Sequence, residues 1–172
     1  MIYIIDELVS KAVVDQVYSN FRHFLWEYGN VGAPETPMFF GRILYHKDGK
    51  IDVPYDPNID VIIEAGRQFL KENIHGVKDV VLHRILVNRQ LPGMTAAAHI
   101  DWEEPDMATM VYYVSNSTGG GTEIYDQNGK MDRLVEYKQG RSLFFPSMVL
   151  HQGLPPDEGW RISLGIMFKL IL

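Results

Sequence analysis

The chain of 172 residues contains no cysteine. Disulfides and thiolate metal sites are thereby excluded, and any metal must be held by His, Asp or Glu. The same lack fits a cytoplasmic location. There is no surplus of basic charge either: 16 Lys and Arg stand against 22 Asp and Glu, a net charge of −6. Broad nonspecific binding to nucleic acid depends on neutralising phosphates, so this balance disfavours it. No apolar run approaches the roughly 20 residues of a membrane span. MIYIIDELVS has no basic segment, and Asp6 and Glu7 interrupt its apolar start, so it does not read as a secretory signal. Internal repeats and low-complexity linkers are missing too. What remains is a chain with 46% apolar residues, enough to bury a core. One globular unit is expected, with helical support over about 1–78 and a β core over about 79–172.

MIYII reads as a short strand. Residues 6–29 read as an amphipathic helix, with Asp6 as N-cap, Leu8, Ala12, Val13, Val17, Phe21, Phe24 and Leu25 at helical spacing, and Gly29 with Asn30 as the stop. MFFGRILYH, 38–46, is a strand and HKDGK a turn. A second helix is expected over 58–73, burying Val61, Ile62, Ala65, Phe69 and Leu70, with Gly76 ending it. From residue 79 the texture turns to β. VVLHRILVN, ATMVYYVS (108–115), TEIYD, DRLVEYK (132–138), RSLFFPS, VLHQGL and RISLGIMFKLIL are strand candidates, and SNSTGGG and NGK are turns. Many short strands between turns point to a sandwich or barrel, with the two helices covering one face. The apolar tail FKLIL suggests a paired edge strand or an interface.

In AAAHIDWEEP, 96–105, His99 and Asp101 fall on the same side of an extended strand, because side chains alternate. Such a pair makes either an ion pair or two corners of a metal site. His151, in FFPSMVLHQGLPP, offers a third ligand. Two histidines and a carboxylate on one face of iron leave positions open for a cosubstrate and O₂. Ten residues later comes RISLGIMF. Arg161 and Ser163 share a strand face, and a guanidinium beside a hydroxyl is a good receptor for a carboxylate. Arg161 sits among apolar neighbours and needs a partner if buried. The other reading is an edge arginine paired with Asp157 or Glu158.

These blocks resemble the Fe(II)/2-oxoglutarate-dependent dioxygenases, particularly the prolyl 4-hydroxylase-like branch. HID, MVYYVSNSTGGGTEIYD, GRSLFFPSMVLHQG and RISLGIMF occur in the family's order over about residues 80–170. The resemblance implies a double-stranded β-helix, or jelly roll, with helices on its major sheet. It implies Fe(II) on His99, Asp101 and His151, with 2-oxoglutarate on Arg161 assisted by Ser163. Tyr113 matches a family tyrosine that donates to the same carboxylate, and Asn88 a polar position facing 2-oxoglutarate. Ascorbate would support turnover. Trp102 is a candidate wall of the substrate site. The implied reaction is hydroxylation of a C–H bond in a peptide, protein or small molecule, releasing succinate and CO₂. Two departures bear on a proline substrate: many prolyl hydroxylases carry lysine where this chain has Arg161, and a tyrosine motif where it has LVNRQLPG. The alternatives are an oxygenase acting on nucleic acid and a cupin-like jelly roll that binds a metal or ligand without oxidising anything.

Overall fold

A computed structural model describes residues 2–29, 39–48 and 56–172. The elements are β1 (Tyr3–Ile5), α1 (Lys11–Phe21), β2 (Glu27–Tyr28), β3 (Phe40–His46), α2 (Asn58–Asn73), β4 (Asp79–Gln90), β5 (Met107–Tyr113), β6 (Thr118–Gly119), β7 (Thr122–Tyr125), β8 (Met131–Val135), β9 (Ser142–Pro146), β10 (His151–Gly153), β11 (Pro156–Glu158) and β12 (Arg161–Ile171). A seven-stranded sheet runs β1-β9-β5-β12-β4-β3-β2. Facing it are a three-stranded sheet, β10-β7-β8, and the pair β11-β6. This is the expected jelly roll with helices on the major sheet. Among the described residues no helix is long and apolar enough to cross a membrane.

Strand alternation builds two cores from one sheet. On β12, Ile162, Leu164, Ile166 and Phe168 face the helices and pack with Val14, Val17 and Phe21 of α1 and Ile59, Ile62 and Leu70 of α2. The odd-numbered positions, Arg161, Ser163, Gly165 and Met167, face the opposite way into a cavity. β5 divides in the same manner: Met110 and Tyr112 join the helix side, and Val111 and Tyr113 a second core with Ile124, Val135, Leu143 and Phe145 between the sheets. β4 carries one extra residue. Met167 pairs with Arg84 and Phe168 with Leu82, so His83 is a bulge. It turns Val80 and Leu82 before it, and Ile85 and Val87 after it, towards the same helix-side core.

Several sequence expectations are corrected. The first helix is not 6–29 but Lys11–Phe21, preceded by Ser10 at the N-cap position. Asp6 is not its cap. Glu7 adopts φ 60°, which breaks the chain direction after β1, and Asp6 instead pairs with Arg141 and Lys138, both at 2.7 Å. After Phe21 the rings of Phe24 and Trp26 fold back on it, at 5.4 and 5.9 Å between centroids, while Ala12 and Leu25 are exposed. The second helix holds its expected bounds, but Val61 is exposed, and Ile59, Ile62, Ile63, Gly66 and Leu70 are the buried set. Gly66 lies so close to the sheet that a Cβ there would meet Met110 at 2.9 Å. The strand expected at 132–138 is Met131–Val135. FKLIL is no edge: β12 runs through it in mid-sheet, with Leu170 against Val80 and Ile171 against Asp79. The segment before residue 79 is more than helical support, since β1, β2 and β3 belong to the major sheet. Asn30, Met38 and the last two residues of the HKDGK turn, Gly49 and Lys50, lie outside the described residues.

Candidate metal centre and cosubstrate pocket

A cavity of about 450 Å³ opens between the sheets, lined by β4, β12, the alanine run and the ends of β7 and β10. His99 reaches it from the segment before β5, which is bound to the start of β10: the N–H of His99 donates to the carbonyl of His151, and the reverse, both at 2.9 Å. That bridge sets the two imidazoles side by side, 4.5 Å between centroids. Asp101 closes the group. Its Oδ1 is 3.8 Å from His99 Nε2 and its Oδ2 3.7 Å from His151 Nε2. One ligand atom from each of the three lies within 4.8 Å of the others.

The donor set suits a divalent metal. His99 Nδ1 lies 2.9 Å from the carbonyl oxygen of Ala97, and His151 Nδ1 lies 3.0 Å from that of Val149. Each Nδ1–H is thus used on the backbone, which leaves each Nε2 lone pair for a metal. Burial pushes the His151 pKa down, against the opposing pull of Asp101, and so favours the neutral form that a metal requires. Asp101 is oriented in turn. Thr109 Oγ1 donates to its Oδ2 at 2.8 Å, Ser147 lies 2.9 Å from that hydroxyl, and Ser147 O accepts the Asp101 N–H at 2.9 Å. Arg84 Nη2 stands 3.4 Å from Oδ1.

Arg161 lies at the other end, 3% exposed. It is not an edge residue and forms no ion pair with Asp157, Glu158 or any other described acid. Nε donates to the carbonyl of Gly120 at 2.5 Å, Nη1 to Gln90 Oε1 at 2.8 Å and Ser163 Oγ at 3.0 Å, and Nη2 to Thr122 Oγ1 at 3.2 Å. Every partner is neutral. A buried cation with no counter-charge costs several kcal/mol, on the order of the penalty for an unpaired ion. An anion such as a carboxylate of 2-oxoglutarate meets that need. Gly120, at φ 78°, brings its carbonyl to the guanidinium, and a Cβ there would meet Arg161 Cδ at 3.1 Å and Pro156 Cα at 3.3 Å.

The other expected residues divide. Ser163 touches Arg161 as anticipated. Asn88 lines the cavity, and its buried Oδ1 has no partner among the described residues. Tyr113 is fully buried behind the pocket wall: its hydroxyl donates to Thr122 Oγ1 at 2.7 Å, and its ring stacks on Tyr137 at 4.4 Å. It meets Arg161 both through their shared partner Thr122 and directly, with the guanidinium carbon 5.5 Å from its ring centre, and it is not among the residues that line the cavity. Trp102 does not line it either. It borders an adjoining hollow with Glu103 and Glu104, which shares Ile100 and Asp101 with the cavity, and it stands edge-on to His83 at 4.8 Å. Glu104 and Asp106 pair with Lys169 at 2.7 and 2.6 Å. Sequence reasoning missed Gln90, Thr122, Thr109 and Arg84. Strand parity with Asn88 flags both Gln90 and Arg84, which lie on the same side of the bulge, but the pairing of Gln90 with Arg161 is a cross-strand register that no local pattern states.

Comparison with known proteins follows this geometry. The family model of the 2OG-Fe(II) oxygenase superfamily matches residues 85–169. The search of curated proteins finds no significant match. Among solved structures, the chain resembles a viral collagen prolyl hydroxylase from Paramecium Bursaria Chlorella virus-1 bound to 2OG (20% identity, 99% of this chain and 96% of that one, TM-score 0.73). It also resembles a Pseudomonas putida prolyl-4-hydroxylase (16% identity, 98% and 92%, TM-score 0.70). A third is a Trichoplax adhaerens prolyl hydroxylase in complex with a hypoxia inducible factor peptide (17% identity, 98% and 83%, TM-score 0.69). At these identities the likeness is one of fold. With the family match and the His-Asp-His cluster beside it, the chain belongs to the 2OG-Fe(II) oxygenase superfamily, a family of dioxygenase enzymes.

Proposed function

We propose that this protein hydroxylates a C–H bond of a small molecule or peptide. In the overall reaction one oxygen atom of O₂ enters the product and the other enters succinate, as 2-oxoglutarate loses CO₂. The observation that carries this reading is Arg161, a buried cation with only neutral partners, at one end of the cavity whose other end gathers His99, Asp101 and His151.

His99, Asp101 and His151 would hold Fe(II), and Arg161 with Ser163 would hold the far carboxylate of 2-oxoglutarate. The bound metal and cosubstrate supply the oxidising power. The chain supplies placement. Arg161 is fixed by Gln90, Thr122 and the Gly120 carbonyl before any ligand arrives, so the carboxylate meets a preformed fork. The Nδ1 bonds keep both imidazoles facing inward, and the Thr109 hydroxyl holds one Asp101 oxygen while the other is left towards Arg84. Leu86, Val111 and Met167 give the cavity apolar walls that exclude water around the substrate. Asn88 offers a free acceptor on the same wall. A single domain, a cytoplasmic location and support of turnover by ascorbate belong to the same proposal. The net charge of −6 supports a substrate other than nucleic acid.

The test is succinate release from 2-oxoglutarate by the purified protein with Fe(II), ascorbate and O₂. Turnover uncoupled from any primary substrate is expected at a low rate. No succinate from protein shown to bind iron would sink the reading.

A further inference from the structure

The cavity face of β4 carries Arg84, Leu86, Asn88 and Gln90, opposite Met167, Gly165, Ser163 and Arg161 of β12. Arg84 pairs with Met167 and Gln90 with Arg161, so the two arginines mark opposite ends of one trough. At about 3.3 Å of strand per residue their backbones stand roughly 20 Å apart. Arg84 therefore does not share the far carboxylate of 2-oxoglutarate with Arg161. Its end is the metal end, 3.4 Å from Asp101.

Arg84 is under-used there. Its side chain is 24% exposed, and its Nε–H is buried with no acceptor among the described residues. Asp101 is the one carboxylate among the described residues that line the cavity, and a metal claims it. In the loaded site the charges of Fe(II) and 2-oxoglutarate cancel. Asp101 balances one of the two guanidinium groups, and one positive charge is left over, at Arg84. A half-buried cation beside an apolar wall is stabilised by an anion with two coplanar oxygens, which takes two parallel hydrogen bonds from a guanidinium edge. A single surplus charge matches one carboxylate better than a phosphate ester, which brings close to two negative charges.

We infer that Arg84 receives a carboxylate of the primary substrate, so that the substrate is a small carboxylic acid oxidised at a carbon close to its acid group. This rests on the oxygenase reading above. An internal residue of a protein chain other than Asp or Glu, flanked by neutral peptide bonds, does not supply that group.

The experiment uses the small-molecule fraction of a cell extract, divided in two. In one half the carboxyl groups are converted to methylamides. Each half then receives the protein, Fe(II), fresh 2-oxoglutarate and ¹⁸O₂, and products are read by mass spectrometry for one ¹⁸O atom, with succinate measured alongside. Every turnover puts one ¹⁸O into succinate, so the diagnostic label is the one in other compounds: it is expected in carboxylic acids of the untreated half and is lost in the amidated half. Arg84→Met lowers that labelling by roughly ten- to a hundredfold, the range for losing a charge-assisted hydrogen bond. Arg84→Lys restores part of it, since it keeps the charge and loses the fork. The affinity for 2-oxoglutarate, titrated anaerobically through the visible band of its iron chelate, stays with the wild type. Leaving succinate aside, label in compounds without an acid group, label that survives amidation, or succinate formed with no other labelled product would each overturn the inference. So would an Arg84→Met protein whose main defect is in binding 2-oxoglutarate, because Arg84 would then serve the cosubstrate. The amidation arm needs only the wild-type protein, so a misfolded variant does not leave the question open. Absence of succinate altogether would strike the oxygenase reading, and this inference with it.

Discussion

Single side chains in this protein owe their roles to what holds them. Arg161 is the clearest case: four of its hydrogen bonds are in place without any anion, yet its charge is unmatched. Replacing it by methionine is expected to raise the 2-oxoglutarate concentration for half-saturation by roughly ten- to a hundredfold. An anaerobic titration measures this. The Thr109 hydroxyl is a positioning group for Asp101. Thr109→Val should weaken metal binding by about ten- to a hundredfold, the range for a lost outer partner of a ligand, and Thr109→Ser should restore most of it. Competition for Fe(II) against a chromophoric chelator separates the two variants. At this scale much was legible. His99, Asp101, His151 and Arg161 stand out because few residue types do their chemistry. Gln90 and Thr122 did not, because an amide and a hydroxyl acquire meaning only from the strand that happens to lie across from them.

Elements show where local pattern gives way to packing. The apolar spacing that suggests a helix from residue 6 is real, but Glu7 at φ 60° and the ion pairs of Asp6 interrupt it. The second helix kept its limits because its neighbours impose nothing against its own signals, while Val61 shows that the choice of buried face belongs to the sheet beneath. Asp6 ties the end of β1 to Arg141 beside β9. The Arg141 hydrogen bond, then that of Lys138, brings its pKa down to about 2. A depressed carboxylate contributes stability above its unfolded pKa of about 3.9, and loses it as pH falls from there to about 2. Its carboxylate is 37% exposed, so solvent screening limits the effect to about 0.5–1 kcal/mol. Asp6→Asn is expected to lower stability by that amount at pH 7 and by little at pH 2, as measured by urea unfolding. At Gly66 the constraint is volume. Gly66→Val should cost about 1–3 kcal/mol, because the fully buried thioether end of Met110 would have to move aside in a packed core.

At the scale of the whole molecule, 2-oxoglutarate held by Arg161, as proposed, would also complete the charge balance of the fold. Mn(II) with 2-oxoglutarate, which binds without turnover, should raise the unfolding midpoint, since a ligand that favours the native state stabilises it. Arg161→Met should lose the 2-oxoglutarate part of that rise while unfolding no earlier than the wild type when no ligand is present, because it removes an unmatched buried charge. Scanning calorimetry of both proteins checks the pair of outcomes. The β texture after residue 79 announced the architecture, but the sequence did not state that β1, β2 and β3 complete the major sheet, since long-range pairing leaves no local mark. The bulge at His83 gives that sheet an odd arithmetic. Which wall of the molecule a β4 side chain joins depends on counting from this one residue, not on what the residue is. Side-chain replacements at His83 should thus be tolerated far better than its removal. Deleting it would reverse the parity of one half of β4 against the other, sending either Arg84 and Asn88 into oil or Val80 and Leu82 away from it, so that insertions and deletions, rather than substitutions, are the changes this strand cannot absorb.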